Sequence, residues 1–145
     1  MANLQMKNFK QFVMLFLIAT VGFVSCSKDD DGGEASIEGK WQLFKEGTLI
    51  SGNEELEIYE HTEGCTKDYV EIKVGGTGSE HVFENTGTGC EEYDDTFTWV
   101  RNGNSLTLNY DGDISTAEIL EVTDTTLKVK FVDVDEVFIT VLKRI

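Results

Sequence analysis

Thiols, imidazoles and paired carboxylates are the side chains of this sequence that could do chemistry. There are three cysteines, Cys26, Cys65 and Cys90, and two histidines, His61 and His81. A hydrolase needs a nucleophile held beside a base. With two histidines and no Gly-x-Ser-x-Gly turn, little here builds one. Gly39-Lys40 is followed by Trp41, and Glu34 stands where a phosphate loop would need glycine, so no such loop is present. Acid groups are frequent: Glu54/Glu55, Glu91/Glu92, Asp94/Asp95, and Asp133 with Asp135 and Glu136. A glycosidase would need one of them walled off so that its pKa rises. These pairs fall in stretches that read as loops, where solvated charge is the ordinary outcome. A loose calcium site at Asp111/Asp113 or Asp133/Asp135 lacks the EF-hand frame. His61, Cys65, His81 and Cys90 could together ligate zinc, but at a spacing that matches no familiar zinc pattern. The expectation is a protein that is not an enzyme and carries no metal or cofactor.

Charge narrows the partners. Twelve Lys+Arg against 27 Asp+Glu give a net charge of −15. So acidic a chain, without a basic cluster to neutralise phosphates, is not a nucleic-acid binder.

The N-terminus bears on the compartment. Residues 1–11 are polar and contain Lys7 and Lys10, whereas Phe12 to Val24 is almost wholly apolar. In a helix this run covers only about 20 Å, short of the ~30 Å core of a bilayer, and it suits the apolar region of a signal peptide. Phe23-Val24-Ser25-Cys26 resembles the bacterial lipobox, with Phe23 where leucine is usual. That resemblance implies cleavage before Cys26 and acylation of its thiol and amine, an anchor that would hold a folded domain on a membrane. Ser27 to Glu34 is charged and Gly-containing and reads as a tether. Its Lys28-Asp29-Asp30-Asp31 run resembles the signal by which some Gram-negative bacteria export lipoproteins to the cell surface. The implied location is the outer membrane, facing outward; a solvated linker facing the periplasm is the other reading. The organisation expected is a signal peptide over 1–25, a lipidated tether over 26–36 and one domain over 37–145.

An exported compartment is oxidising, so the remaining even pair, Cys65 and Cys90, should bridge. Closing a loop of about 26 residues stabilises by roughly 3 to 4 kcal/mol in the chain-entropy description.

The elements that would position these groups read as strands. Beyond Ile37 the chain has no proline, and short alternating runs are separated by Gly, Asn and Asp. Leu56/Ile58, Val70/Ile72/Val74, Leu106/Leu108/Tyr110, Leu127/Val129/Phe131 and Val137/Ile139/Val141 each alternate with polar or second-face residues. Turns are expected at Gly75-Gly76-Thr77-Gly78, Asn102-Gly103-Asn104, Asp111-Gly112-Asp113, Thr123-Asp124 and Asp133-Val134-Asp135. Eight or nine antiparallel strands with short loops predict an all-β up-and-down barrel, with a β-sandwich as the alternative.

Gly39-Lys40-Trp41 opens the first strand and resembles the Gly-x-Trp element of lipocalins. Asn104-Ser105-Leu106-Thr107-Leu108 and Thr123-Asp124-Thr125-Thr126-Leu127-Lys128 follow at fitting distances. Together they resemble the lipocalin-like domain of lipoproteins from Gram-negative bacteria, over Ile37 to Lys143. The resemblance implies that Gly39, Trp41 and Arg144 close one end of the barrel, the tryptophan plugging it and Arg144 packing across the ring. It also implies a cavity for a small hydrophobic ligand, for which alternation nominates Trp99, Leu108, Tyr110 and Phe131. Phe44, Phe83 and Tyr93 could add to the interior or mouth. A filled barrel acting as a structural or interaction protein of the envelope is the alternative.

Overall fold

The computed structural model describes residues 35–134 and 136–145; Cys26, the signal-peptide reading and nearly all of the tether lie outside the described residues. Nine strands follow in order: β1 (Gly39–Ile50), β2 (Asn53–Ile58), β3 (Tyr69–Lys73), β4 (Thr77–Asn85), β5 (Cys90–Asn102), β6 (Ser105–Tyr110), β7 (Asp113–Val122), β8 (Thr126–Asp133) and β9 (Glu136–Arg144). All pair antiparallel, and β1 pairs with β9 to close the sheet into a barrel rather than a sandwich. Eight strands are staves. The ninth, β2, is an extension: one edge of β1 pairs with β3 over Gly39–Gln42 and with β2 over Lys45–Ile50.

The turn chemistry explains the meander. Gly103, at φ 59°, takes the first of the two turn positions between β5 and β6. Asp111 and Gly112, at φ 49° and 105°, both adopt the left-handed conformation that a two-residue hairpin turn requires. Val134 reaches φ 50° in the β8–β9 turn while 90% exposed. A β-branched side chain is costly there and packs against nothing. Val134→Asn is therefore expected to raise stability by up to about 1 kcal/mol. A urea midpoint that moves upward with an unchanged slope would show it; an unmoved or lower midpoint would show an unstrained turn.

Period-two burial is interrupted twice. A bulge at Phe44 in β1 switches the inward parity from Trp41 and Leu43 to Glu46 and Thr48, which stand opposite Thr140 and Phe138 of β9. A second bulge, at Leu120 in β7, switches it from Ala117 and Ile119 to Val122. Elsewhere Leu106 and Leu108 of β6, Leu127 and Val129 of β8, and Ile72 and Phe97 turn inward and are buried. In β9 the inward residues are Phe138, Thr140 and Leu142. Ile139 of the opposite face is buried as well, opposite Gly47. β2 departs from the sequence expectation: Ile58 is 70% exposed and Leu56 half-buried, because β2 lies beyond the closed staves. Val74 likewise falls in a turn and is exposed.

One end of the barrel is plugged. Trp41 is fully buried, and its indole N–H donates to the Ile37 carbonyl at 2.7 Å. The Arg144 guanidinium lies 4.0 Å from the indole ring centre. It donates to the carbonyls of Asp124, Glu38 and Ser36 at 2.8, 2.6 and 2.9 Å. Gly39 has φ 135°, and a Cβ there would meet the guanidinium at 2.3 Å. The backbone angle is what favours glycine, since the guanidinium ends a flexible side chain and could shift.

Cys65 and Cys90 form a disulfide, their Cα atoms 5.6 Å apart. It ties the tip of the β4–β5 hairpin to the loop between β2 and β3. The bridge consumes the thiolates a zinc site would need, and among the described residues no group of three His, Cys, Asp or Glu side chains is arranged to hold a metal.

Candidate functional site

Inside the barrel lies a cavity of about 160 Å³. Leu43, Ile72, Leu108, Val129 and Phe131 line its apolar wall, with Tyr110, Thr140 and Glu80 supplying the polar groups. Gly78 helps to shape it: a Cβ at that position would meet the Phe97 ring at 2.3 Å. Phe97 can therefore lie flat against β4, tilted on Tyr110 with ring centres 5.1 Å apart. A space of this volume suits a molecule near the size of benzene.

Glu80 is the only charged residue among those lining the cavity. It stands between Val70 and Asp95 in the pairing register, so two carboxylates oppose each other on one inner surface. The Tyr110 hydroxyl donates to the Glu80 carboxylate. Burial first, then the charge of Asp95, holds the Glu80 carboxyl above the usual range, and the tyrosine bond offsets part of this. Burial and the same carboxylates push the Tyr110 phenol up to about 12. Tyr59 is raised further by burial and by its hydrogen bond to Asp68.

Asp68 is 3% exposed and organises the β2–β3 loop over this end. Its carboxylate accepts from the Tyr59 hydroxyl at 2.9 Å and from the Phe83 N–H at 2.8 Å. Its own N–H donates to His61 Nδ1 at 3.0 Å, which leaves Nε2 to donate to the Leu43 carbonyl at 3.0 Å. His61 is thus a structural link between the loop and β1.

Two wider clefts share walls with the cavity. One, of about 970 Å³, meets it at Thr140 and carries Glu46, Glu55, Glu57 and Glu60. The other, of about 810 Å³, meets it at Phe97 and Tyr110 and carries Asp94, Asp95 and Asp111 together with Lys73. Both clefts are wider and more polar than the inner cavity, whose lining is the most apolar of the three.

The nominated residues divide. Leu108, Tyr110 and Phe131 line the cavity. Trp99 does not; its indole N–H donates to the carbonyls of Lys73 and Thr77 at 3.2 and 3.0 Å and secures the β3–β4 turn. Phe44 lies outside the cavity beneath Lys143, whose ammonium is 3.7 Å from the ring centre. Phe83 faces outward in a stack with Tyr69, and Tyr93 is half-exposed. Alternation does not point to Glu80, Asp68 or Tyr59, and Asp95, which the sequence offers as one of a loop pair, lies within β5.

An unanticipated line of hydrogen bonds runs on the outer face of β4. Ser79 Oγ lies 2.8 Å from His81 Nε2, and His81 Nδ1 lies 2.6 Å from Glu92. The order is that of a nucleophile, base and acid. Ser79, however, is 5% exposed, and its hydroxyl has no open approach for a carbonyl. The Tyr69 ring also covers the imidazole, stacked at 4.4 Å. This line fixes the β4–β5 hairpin.

A family model for the lipocalin-like domain matches residues 37–129. The chain belongs to the lipocalin-like domain family. The fold agrees with that of a lipocalin-like protein from Bacteroides uniformis, at a TM-score of 0.55 and 10% identity over 74% of this chain and 97% of that one. A deswapped triple mutant of bovine odorant binding protein aligns at a TM-score of 0.43 with 14% identity, over 73% of this chain and 72% of that one. A Bacteroides ovatus protein of unknown function aligns at 0.37 with 11% identity, over 74% and 41%. No curated protein matches the sequence. In this lipocalin-like domain the plug of Trp41, Gly39 and Arg144 marks the closed end, and Glu80, Tyr110 and Asp68 mark the end toward solvent.

Proposed function

We propose that this chain is a lipid-anchored lipoprotein of the bacterial outer membrane, displayed at the cell surface, whose lipocalin-like barrel binds one compact hydrophobic ligand. The cavity carries the reading: about 160 Å³ of mostly apolar space between Leu108, Val129 and Phe131, where a filled barrel would have side chains. Close-packed interiors rarely leave voids of that size. The family and fold agree with a binding role. The lipobox-like Phe23-Val24-Ser25-Cys26 and the Lys28-Asp29-Asp30-Asp31 run support the anchor and its address.

Mass spectrometry of the protein purified from the cells that make it tests both halves. The denatured mature chain is expected to begin at Cys26 and carry acyl mass. Its native spectrum is expected to add one small adduct that denaturation removes. An unmodified chain starting elsewhere would overturn the anchor. Repeated absence of any adduct, with no uptake of benzene-sized probes, would return the domain to a filled structural barrel.

A further inference from the structure

The cavity wall is apolar except at one end, and the charged group at that end is acidic. Glu80 faces Asp95 directly across β4 and β5, with Asp68 nearby and the Tyr110 hydroxyl as its donor. The groups that act on it are thus two carboxylates and a phenol. Lys73, on the adjacent strand, takes the outward parity and pairs with Glu71 at 3.5 Å. Acids outnumber bases on both approaches: Glu46, Glu55 and Glu57 line one cleft, and Asp94, Asp95 and Asp111 outnumber Lys73 in the other. A low-dielectric wall with one carboxylate at the end of an acidic funnel attracts a cation and repels an anion.

We propose that the ligand is a small amine, an apolar body of about benzene's size bearing a cationic nitrogen that binds the Glu80 carboxylate while the body fills the space beside Leu108 and Phe131. This rests on the reading that the barrel binds a ligand, and it names that ligand's chemistry. A fatty-acid carboxylate would meet Glu80 and Asp95 as like charges. A neutral hydrocarbon would leave the partly buried Glu80 opposed to the exposed Asp95 with no counter-charge. An ammonium offsets both penalties and gains a charge-assisted hydrogen bond.

The pH dependence follows from the raised Glu80 pKa. Without ligand, the folded state holds this proton more tightly than the unfolded chain does, so this group's contribution to stability grows as pH falls through the folded pKa. Amine binding needs the ionised carboxylate, so affinity falls over the same interval.

The test titrates the full chain with three probes of one shape: phenethylamine, phenethyl alcohol and phenylacetate. The amine is expected to bind at least about tenfold more tightly than the alcohol, equivalent to about 1.4 kcal/mol. Phenylacetate is expected to bind more weakly than either. In Glu80→Gln the amine's advantage over the alcohol should vanish, with an unchanged far-UV spectrum telling loss of charge apart from loss of folding. In Asp95→Asn, Glu80 remains, and the amine's preference should persist, reduced. Equal binding of amine and alcohol by the native chain would overturn the amine while leaving a ligand-binding barrel. An advantage that survives in Glu80→Gln would likewise overturn it. Failure of all three probes to bind would overturn both readings.

Discussion

Trp41→Ala is expected to lower the stability of the domain by about 3–5 kcal/mol, the range for removing a large aromatic side chain from a core. A small domain has only about 5–15 kcal/mol in total, so the variant should stand near the edge of folding at room temperature. The size of the effect follows from what the indole holds together. It is fully buried, donates to Ile37 and carries Arg144 on its face. Arg144 in turn joins the carbonyls of Ser36, Glu38 and Asp124, which belong to the segment that leads into β1 and to the β7–β8 turn. Truncation would leave a void under three strands and loosen the guanidinium. Trp41→Phe should fall between, because it retains most of the ring's burial and loses the N–H. Urea unfolding followed by Trp99 fluorescence measures the change. A loss below about 1 kcal/mol for Trp41→Ala would show that the plug is dispensable.

Removal of the Cys65–Cys90 bridge, by reduction or by a double alanine substitution, is expected to cost about 3–4 kcal/mol. The bridge spans a sequence separation of 25. Its position gives the loss a local signature. β5 pairs with β6 only over Thr98–Asn102, so Cys90 to Asp95 pair with β4 alone. The tip of that hairpin therefore depends on the bridge, on the Ser79–His81–Glu92 line and on Asp68, which accepts from the Phe83 N–H. Amide exchange should rise over 83–92 in the reduced protein while Leu106 and Leu108 remain protected. A uniform rise across the barrel would show that the bridge stabilises the unfolded-state balance without holding the tip.

Much of the barrel was legible because its staves obey strict alternation. Leu106/Leu108/Tyr110 and Leu127/Val129/Phe131 repeat at period two between turns whose Gly, Asn and Asp residues suit left-handed φ. Gly39, Trp41 and Arg144 were expected at the closed end through the resemblance to lipocalins and not through alternation. The site was less legible for physical reasons. The bulge at Phe44 turns Glu46 inward, and no alternation count registers an extra residue. Glu80 reads as a polar residue between strand neighbours, and only the closed sheet shows that its side chain shares a surface with Phe97 and Leu108. Asp68 lies in a loop, and its importance comes from contacts to β4 and to Tyr59 that are distant or irregular in sequence. Trp99 shares the inward parity of Phe97 but lies at the β3–β4 turn, where its N–H finds carbonyls before its ring can reach the cavity.

Whether a compact apolar body can enter this barrel is the question on which the functional account turns. Crystals of the protein equilibrated with xenon under pressure address it directly, since an apolar void of this size takes up the gas without a polar partner. The account predicts a single strong xenon peak enclosed by Leu108, Val129 and Phe131. Side chains closed across that space, with xenon absent from the barrel interior, would contradict it.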